Sequence, residues 1–310
     1  MDYLVVSTAV TDDVYLAGGG HRGRFLGGAG VYALCGIRLW SDSAVLCTGV
    51  GEDFQALHGP WFEKNGCSRA GLMVKDPHTA VSTVRYQPDG ERVETPPFGP
   101  EHYRRLEAAP EELRPFYPGL KGAYIFKDLR PGYWEQVLAD RAASGFPIMW
   151  ELNADAARPE NLPRVREVAQ ACGLFSLNRT EASRLLGCTE PEEQAAALLR
   201  WDTELIYLRL GGRGAAVIAG GRAVWIPCAP CGSAADPTGA GNSSTAAVLC
   251  GWCRGKSPAE CGAMGAVSAA RCIEQFGPPD FSAGMRAGAQ GIQTALPPAI
   301  TAAPRPPRRR

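Results

Sequence analysis

Residues 236–252 read DPTGAGNSSTAAVLCGW, Asp236 through Trp252. A strand-like run, AVWIPC, precedes this stretch, and NSSTAAVLCGWCRG after it has the composition of a helix. Thr238-Gly239-Ala240-Gly241 therefore falls between strand and helix, where unpaired backbone N–H groups and the helix dipole favour an anion. The glycines let the chain approach a phosphate closely and adopt left-handed dihedrals. Thr238 and Ser243 add hydroxyl donors. From the loop alone, an ordinary Gly-rich strand-to-helix turn accounts for the pattern equally well. Asn242 stands where phosphate chemistry would most use a carboxylate.

Working outward, GAYIFKD, PIMWEL, LFSLN, LIYLRLGG and AAVIAGG read as strands, and YWEQVLADRAA, LPRVREVAQAC and RTEASRLLG as helices. Strands alternating with helices imply βαβ units and a mostly parallel sheet covered on both faces, an α/β fold. NSSTAAVLCGWCRG and PAECGAMGAVSAARCIEQFG close the chain as strong helices. Toward the N-terminus, YLVVSTAV reads as one strand, VYALCGIRLW as a helix, SAVLCTGVG as a buried strand and Trp61 to Gly66 as a second helix. TAVSTVRYQPDGERVETPP alternates around Pro88-Asp89-Gly90, which predicts a polar β-hairpin projecting from the main sheet. Gly18-x-Gly20-x-x-Gly23, with Asp42 about twenty residues on, formally fits a dinucleotide fingerprint. No helix opens after Gly20, so a hairpin turn is the better reading of those glycines.

The 310 residues carry 45% hydrophobic and 21% charged side chains and a net charge of zero. That composition builds an ordinary globular core and provides no basic field for nucleic acid. MDYLVVSTAVTDD lacks a basic n-region, which argues against a signal peptide, and no apolar run is long enough to span a bilayer. A cytoplasmic protein with no membrane and no nucleic-acid partner is expected. The 11 cysteines are odd in number in a large chain, unlike a secreted disulfide scaffold. Cys228-x-x-Cys231 and Cys250-x-x-Cys253 have zinc-ribbon spacing, but the second pair lies inside an apparent helix, so buried thiols are the better reading. The Pro-rich end, PPAITAAPRPPRRR, has little to bury and reads as a disordered tail over 297–310.

DPTGAGN resembles the D-T-T-G-A-G-D signature of the ribokinase-like (PfkB) carbohydrate kinases, and other landmarks of that family follow in order. The first-strand segment Ser7 to Asp12 is similar to one ending in a substrate-binding aspartate. Gly27-Gly28-Ala29-Gly30 resembles the motif that lets sugar hydroxyls reach backbone. Asn178-Arg-Thr-Glu181 resembles N-x-x-E, whose glutamate organises magnesium through water. Arg209-Leu-Gly211-Gly212-Arg-Gly214 resembles the strand-end loop beside the nucleotide. The resemblance implies a ribokinase-like three-layer α/β/α domain over residues 1–296, with a small β lid from about 12–26 and 78–97. It further implies an ATP-dependent phosphotransferase acting on a hydroxymethyl group of a sugar or nucleoside, with ATP, Mg2+ and a monovalent cation as cofactors. Substrate would meet Asp12, Gly27, Gly28 and Tyr32. Nucleotide would meet Asn178, Arg209, Gly211, Gly212, Gly214 and Thr238, with the helix around Ala266–Ala270 nearby. Glu181 would serve the metal, unless it is a solvated first-turn glutamate with Asn178 a plain N-cap, and Gly239, Ala240, Gly241 and position 242 would form the catalytic centre. Asp236 would shape the loop or a monovalent-cation site.

Two departures stand out. The family's catalytic aspartate is Asn242 here, and an asparagine that usually follows the Gly-Gly motif is Tyr32. Both resemble a fungal-type branch with GGAGTYA, WEP…PENL and DPTGAGN motifs. This chain has GGAGVYA at 27–33, Trp150-Glu151, Pro159-Glu-Asn-Leu162 and DPTGAGN itself. An amide cannot accept a proton at neutral pH, although it can orient a hydroxyl. Two functions therefore stay open: a kinase with Asn242 positioning the acceptor, and a catalytically impaired nucleotide or metabolite binder. Asp12 or Asp13 could substitute as the base, Arg85 is either a substrate contact from the lid or a surface charge on a lid strand, and Lys127-Asp128 is a strand-end pair that could face the cleft. Lid edges of this kind often pair, which suggests a homodimer.

Overall fold

The computed structural model describes residues 1–88, 92–296 and 300–302. Among these, ten short strands form the central sheet: β1 (Tyr3–Val6), β4 (Ala44–Gly51), β5 (Leu72–Asp76), β8 (Gly122–Lys127), β9 (Ile148–Leu152), β10 (Gly173–Asn178), β11 (Leu205–Arg209), β12 (Ala215–Ala219), β13 (Arg222–Ile226) and β14 (Ile300–Ala302). Their order is β14-β13-β12-β11-β10-β9-β8-β1-β4-β5, parallel from β11 to β5 and antiparallel from β11 to β14. A second sheet, ordered β3-β2-β6-β7, is made by β2 (Val10–Tyr15), β3 (His21–Gly27), β6 (Val81–Tyr86) and β7 (Arg92–Thr95).

The connecting helices are α1 (Ala29–Arg38), α2 (Phe54–Lys64), α3 (Pro100–Arg105), α4 (Pro110–Leu113), α5 (Tyr133–Ser144), α6 (Leu162–Cys172), α7 (Arg179–Leu186), α8 (Pro191–Leu198), α9 (Ala240–Cys253), α10 (Pro258–Cys272) and α11 (Ala283–Ala295). Alternate residues of each strand point to opposite faces, and two apolar cores result. Ile148 and Trp150 of β9 pack with Trp134 of α5, Val165 and Val168 of α6 and Leu185 of α7. Met149 of β9 and Tyr124 of β8 pack on the other face with Leu34 of α1, Val248 of α9 and Met264 of α10. Parallel strands buried on both faces explain why PIMWEL and GAYIFK read as continuous apolar runs.

This is a ribokinase-like α/β architecture: a large, mostly parallel sheet with helices on both sides. Four expectations need correction. YLVVSTAV is two strands: β1 ends at Val6, and Ser7–Ala9 carry the chain across to the second sheet at Val10. The second helix begins at Phe54, before the predicted Trp61, so Pro60 lies inside it. Strand β5 and helix α8 escaped the sequence reading because each is short and weakly periodic. Ile300–Ala302, assigned to a structureless tail, instead add an antiparallel edge strand along Ala223–Trp225, because the open β13 edge offers unpaired backbone groups. The rest of that tail, and the tip of the Pro88-Asp89-Gly90 hairpin, lie outside the described residues. The glycines of residues 18–20 form the β2–β3 hairpin turn, closed by the Leu16 N–H to the Gly20 carbonyl at 2.9 Å.

Candidate active site

Parallel strands end together, and ligands of open α/β sheets collect beyond their carboxyl ends. Here the ends of β1, β8 and β9 and the N-terminus of α9 open onto one cavity of about 600 Å³, roofed by the second sheet. Asp12, Gly28, Tyr32, Thr238, Gly239 and Asn242 line it, so both halves of the predicted site meet there.

Asp12 is buried on β2, and its carboxylate lies against the Gly27 backbone so closely that any β-carbon at Gly27 would overlap it. Burial is the main cause raising its pKa to about 8, with the Glu94 charge adding and Arg92 opposing. Asp13 points to the other face of the strand, where His21 approaches it at 2.8 Å and Arg24 at 3.5 Å. Strand alternation thus removes Asp13 as a base. Gly28 caps α1 at φ +98°, and a β-carbon there would meet the Thr8 carbonyl oxygen at 2.6 Å.

At the opposite wall, Gly239 precedes the 14-residue helix α9 with φ +78°. The backbone N–H groups of the first turn of α9 begin directly behind it, as the sequence predicts for an anion loop. Asp236 Oδ1 accepts from the Thr238 N–H at 2.8 Å and from the Tyr86 hydroxyl at 2.5 Å, so Asp236 shapes the loop and ties it to the second sheet. Tyr32 is buried against Gly239: a β-carbon at Gly239 would overlap its ring.

Asn242 is held from below. Its Nδ2 donates to Glu151 Oε1 at 3.0 Å and to Tyr124 Oη at 3.1 Å. The Tyr124 hydroxyl donates to Glu151 Oε2 at 2.8 Å, and Arg209 Nη1 lies 3.0 Å from Glu151 Oε1. Glu151 shares the parity of Met149, which aims it at α9. Tyr124 and Arg209 reach the same face from their own strands. Arg209 packs beneath Gly241, where a β-carbon would overlap the guanidinium. Its Nη2 stands 3.5 Å from Glu181 Oε2.

Asn178 and Glu181 form a reciprocal capping box on α7: Glu181 N–H to Asn178 Oδ1 at 2.9 Å, and Asn178 N–H to Glu181 Oε2 at 2.7 Å. Burial raises the Glu181 pKa against the lowering influence of Arg209. Gly211, Gly212 and Gly214 follow β11 along the same sheet edge but do not line the cavity; they lie beyond Asn178 and Arg209, two strands from β9. Ala270, expected near the nucleotide, is buried in a small cluster with Ala289 of α11 and Ala229, and Ala266 packs against that cluster.

Arg85 is not at the site. On β6 the buried positions are Ser82 and Val84, so Arg85 faces outward and stacks on Tyr15 with its guanidinium carbon 4.3 Å from the ring centre. The second-sheet arginine that lines the cavity is Arg92 on β7, which has no counterpart among the expected site residues. Its Nη1 donates to Thr238 Oγ1 at 2.5 Å, and its Nε pairs with Glu94 at 2.9 Å. Lys127 and Asp128 do face the cavity. Lys127 is ion-paired with Glu107, which also accepts from Arg130 Nη1 at 2.6 Å. The strand-end position was the signal for them, and the same signal points to Asn153 and Asp155 beyond β9.

The cysteine pairs make no ribbon: Cys250 is buried within α9, whereas Cys228 and Cys231 are exposed on a loop. Among the described residues, no group of three or more His, Cys, Asp or Glu is placed to hold a metal ion. No helix among them is long and apolar enough to cross a membrane.

The chain is similar to several kinases. It is 23% identical over 294 residues to a cytidine kinase of Thermococcus kodakarensis, covering 88% of this chain and 97% of that one. A 140-residue stretch is 31% identical to a ribokinase of Arabidopsis thaliana, covering 43% of this chain and only 36% of the relative. The fold superposes on an adenosine kinase of Sinorhizobium meliloti with a TM-score of 0.77 at 20% identity, covering 94% of this chain and 99% of that one. It superposes on the Arabidopsis thaliana ribokinase complexed with ribose and ATP with a TM-score of 0.71 at 20% identity, covering 94% and 98%. The model of the pfkB family of carbohydrate kinases matches residues 8–282, and the chain belongs to that family.

Proposed function

We propose that this protein is an ATP-dependent kinase that phosphorylates a hydroxymethyl group of a sugar or nucleoside. The observation that carries the reading is a single cavity with the Thr238–Gly241 loop and the α9 N-terminus on one wall and Asp12 with the Gly27-Gly28 backbone on the other. Asp12 is buried and, among the described residues, has no cation in direct contact. It is therefore suited to accept hydrogen bonds from substrate hydroxyls, which would favour its ionised form. Thr238, Gly239 and Gly241 present backbone and hydroxyl donors to the transferred phosphoryl group. Arg92 brings a cation from the lid to the same spot, where charge spreads over phosphoryl oxygens in the transition state.

In the transfer, the acceptor oxygen bonds to the γ-phosphorus as the bond to the ADP oxygen breaks. Asn242 Oδ1 orients the acceptor hydroxyl but takes no proton, which leaves to a phosphoryl oxygen or to solvent. The transition state of such reactions is loose, so positioning carries most of the catalysis, and lost base assistance slows it by ~10²–10⁴. Magnesium, when bound with the nucleotide, neutralises phosphate charge. Glu181, whose Oε2 accepts from the Asn178 N–H and faces Arg209, would serve that ion only through water.

The test is incubation with Mg-ATP and a panel of sugars and nucleosides, read by 31P NMR. One phosphorylated product supports the kinase. A second reading, a nucleotide or metabolite binder, draws on the neutral amide at Asn242, whose N–H groups are committed to Glu151 and Tyr124. Saturable binding of Mg-ATP without any product across the panel would favour it.

A further inference from the structure

The carboxylate missing from position 242 is present one layer below, on strand β9. We propose that Glu151 is the positioning residue for Asn242, and that the two form an exchangeable pair in which only one member can carry charge. A carboxylate only accepts hydrogen bonds, so the amide NH2 of Asn242, and not its oxygen, has to face Glu151. Both amide hydrogens are then used, one on Glu151 Oε1 at 3.0 Å and one on Tyr124 Oη at 3.1 Å. Tyr124 has no choice either: having accepted from Asn242, it donates to Glu151 Oε2 at 2.8 Å. The direction of every bond in the network follows from the single charge on Glu151. Asn242 Oδ1 is left as the free acceptor, and Asn242 lines the cavity.

The same geometry forbids a carboxylate at position 242 beside Glu151. Among the described residues, Arg209 is the cation in contact with this network, at 3.0 Å from Glu151 and 3.5 Å from Glu181. Two carboxylates already share it, and a third would stand about 3 Å from Glu151 in a buried site, where like charges cannot both ionise. Moving the charge instead of adding one solves the problem. In the double variant N242D/E151Q the bonds reverse direction. The new amide on β9, with its NH2 where Glu151 Oε1 stands, donates to the new carboxylate on α9, and the Tyr124 hydroxyl turns to donate to that same carboxylate. Two of the three bonds persist in reversed direction, and the net charge stays the same. The loop's neutral amide is therefore matched to the glutamate on β9, not a simple loss of function at one position.

The test is a melting cycle on the full chain with N242D, E151Q and N242D/E151Q, run between pH 5 and pH 8.5. At pH 8 the N242D variant is expected to melt at least about 5 °C below the original protein. An added carboxyl group whose folded pKa is raised costs nothing while protonated, and its penalty grows as pH rises from its unfolded value toward its folded one. The deficit of N242D should therefore shrink toward pH 5. E151Q alone takes away the charge that faces the buried Arg209 and the carboxylate that accepts from the Tyr124 hydroxyl, and should also melt early, while the double variant recovers most of both losses. If N242D does not fold at neutral pH, a folded double variant makes the same point. A double variant that shows the sum of the two losses, or fails to fold, would overturn the pairing, as would N242D melting with the original protein at pH 8.

The catalytic arm rests on the proposed phosphotransfer. E151Q should lower kcat at least about tenfold with KM values within about threefold, because Asn242 Oδ1 loses its fixed direction. An unchanged kcat would remove the positioning role. If the original protein transfers no phosphate at all, that reading fails by itself, and the melting cycle still decides whether Glu151 and Asn242 are paired.

Discussion

The ring of Tyr32, on α1, packs directly on the backbone of Gly239, the residue just before α9. Helix α1 and the Thr238–Gly241 loop are thereby braced against each other through that ring. Gly239 also holds φ +78°, which only glycine adopts without strain. Gly239→Ala meets both obstacles and is expected to cost about 2–4 kcal/mol by denaturant unfolding and to abolish nucleotide-induced stabilisation. An alanine variant with unchanged stability would show that the loop can retreat from Tyr32.

The two lid arginines should behave oppositely. Arg92 touches Thr238 and lines the cavity, whereas Arg85 stacks on Tyr15 on the outer face. Arg92→Ala should lower kcat/KM by about 10–100-fold, as for the loss of a charged group at a transferring phosphoryl. Arg85→Ala should change it less than about twofold. Steady-state kinetics on the two variants checks this, and equal effects would contradict the placement.

Asp12 has its pKa raised to about 8, chiefly by burial. Its folded value lies above its unfolded one, so ionising it opposes folding, and this loss of stability accrues as pH rises from about 4 toward 8. Substrate hydroxyls donating to the carboxylate favour the charged form, so binding releases a proton below pH 8. Acceptor affinity is then expected to rise about tenfold per pH unit between pH 6 and pH 8 and to level above it. Calorimetry in buffers of different ionisation enthalpy measures the released proton. The Asp12→Asn variant should show neither effect.

His58 supports the strand that carries Asp12: its Nε2 lies 2.7 Å from Thr11 Oγ1, and burial lowers its pKa to about 4 while Asp53 pulls upward. Here the folded pKa lies below the unfolded one, so the neutral ring stabilises the fold above about pH 6.5. That contribution, at most about 3 kcal/mol, is lost as pH falls from 6.5 toward 4. Urea midpoints across this window should fall less steeply for His58→Gln than for the original protein.

The Gly-rich loop before α9 and the alternation of strands and helices were legible because they are local: DPTGAGN, the GGAG turn and the N-x-x-E box each lie within a few residues. Every one of those segments occupies the predicted strand end or helix start. What the sequence hid is the meeting of residues far apart in the chain. Glu151 was visible only as part of a motif, although its parity with Met149 already aims it at the α9 face. Its contact with Asn242, 91 positions away, depends on how α9 lies across β8 and β9. Arg85 stayed open between site and surface, although its alternation with Val84 and Tyr86, on the inward face, already points it outward. Arg92 was overlooked because its register on β7 is set by pairing with β6, Tyr86 opposite Arg92, and not by its own neighbours.

The most direct measurement is 31P NMR of the full chain with Mg-ATP and a mixed panel of sugars and nucleosides. A new phosphomonoester resonance is expected to grow together with ADP, slow relative to kinases with a carboxylate base by ~10²–10⁴. Arg92→Ala and Gly239→Ala should each suppress that signal. Saturating nucleotide binding with no phosphomonoester over the whole panel would contradict the kinase and leave a binding protein that has kept the pocket.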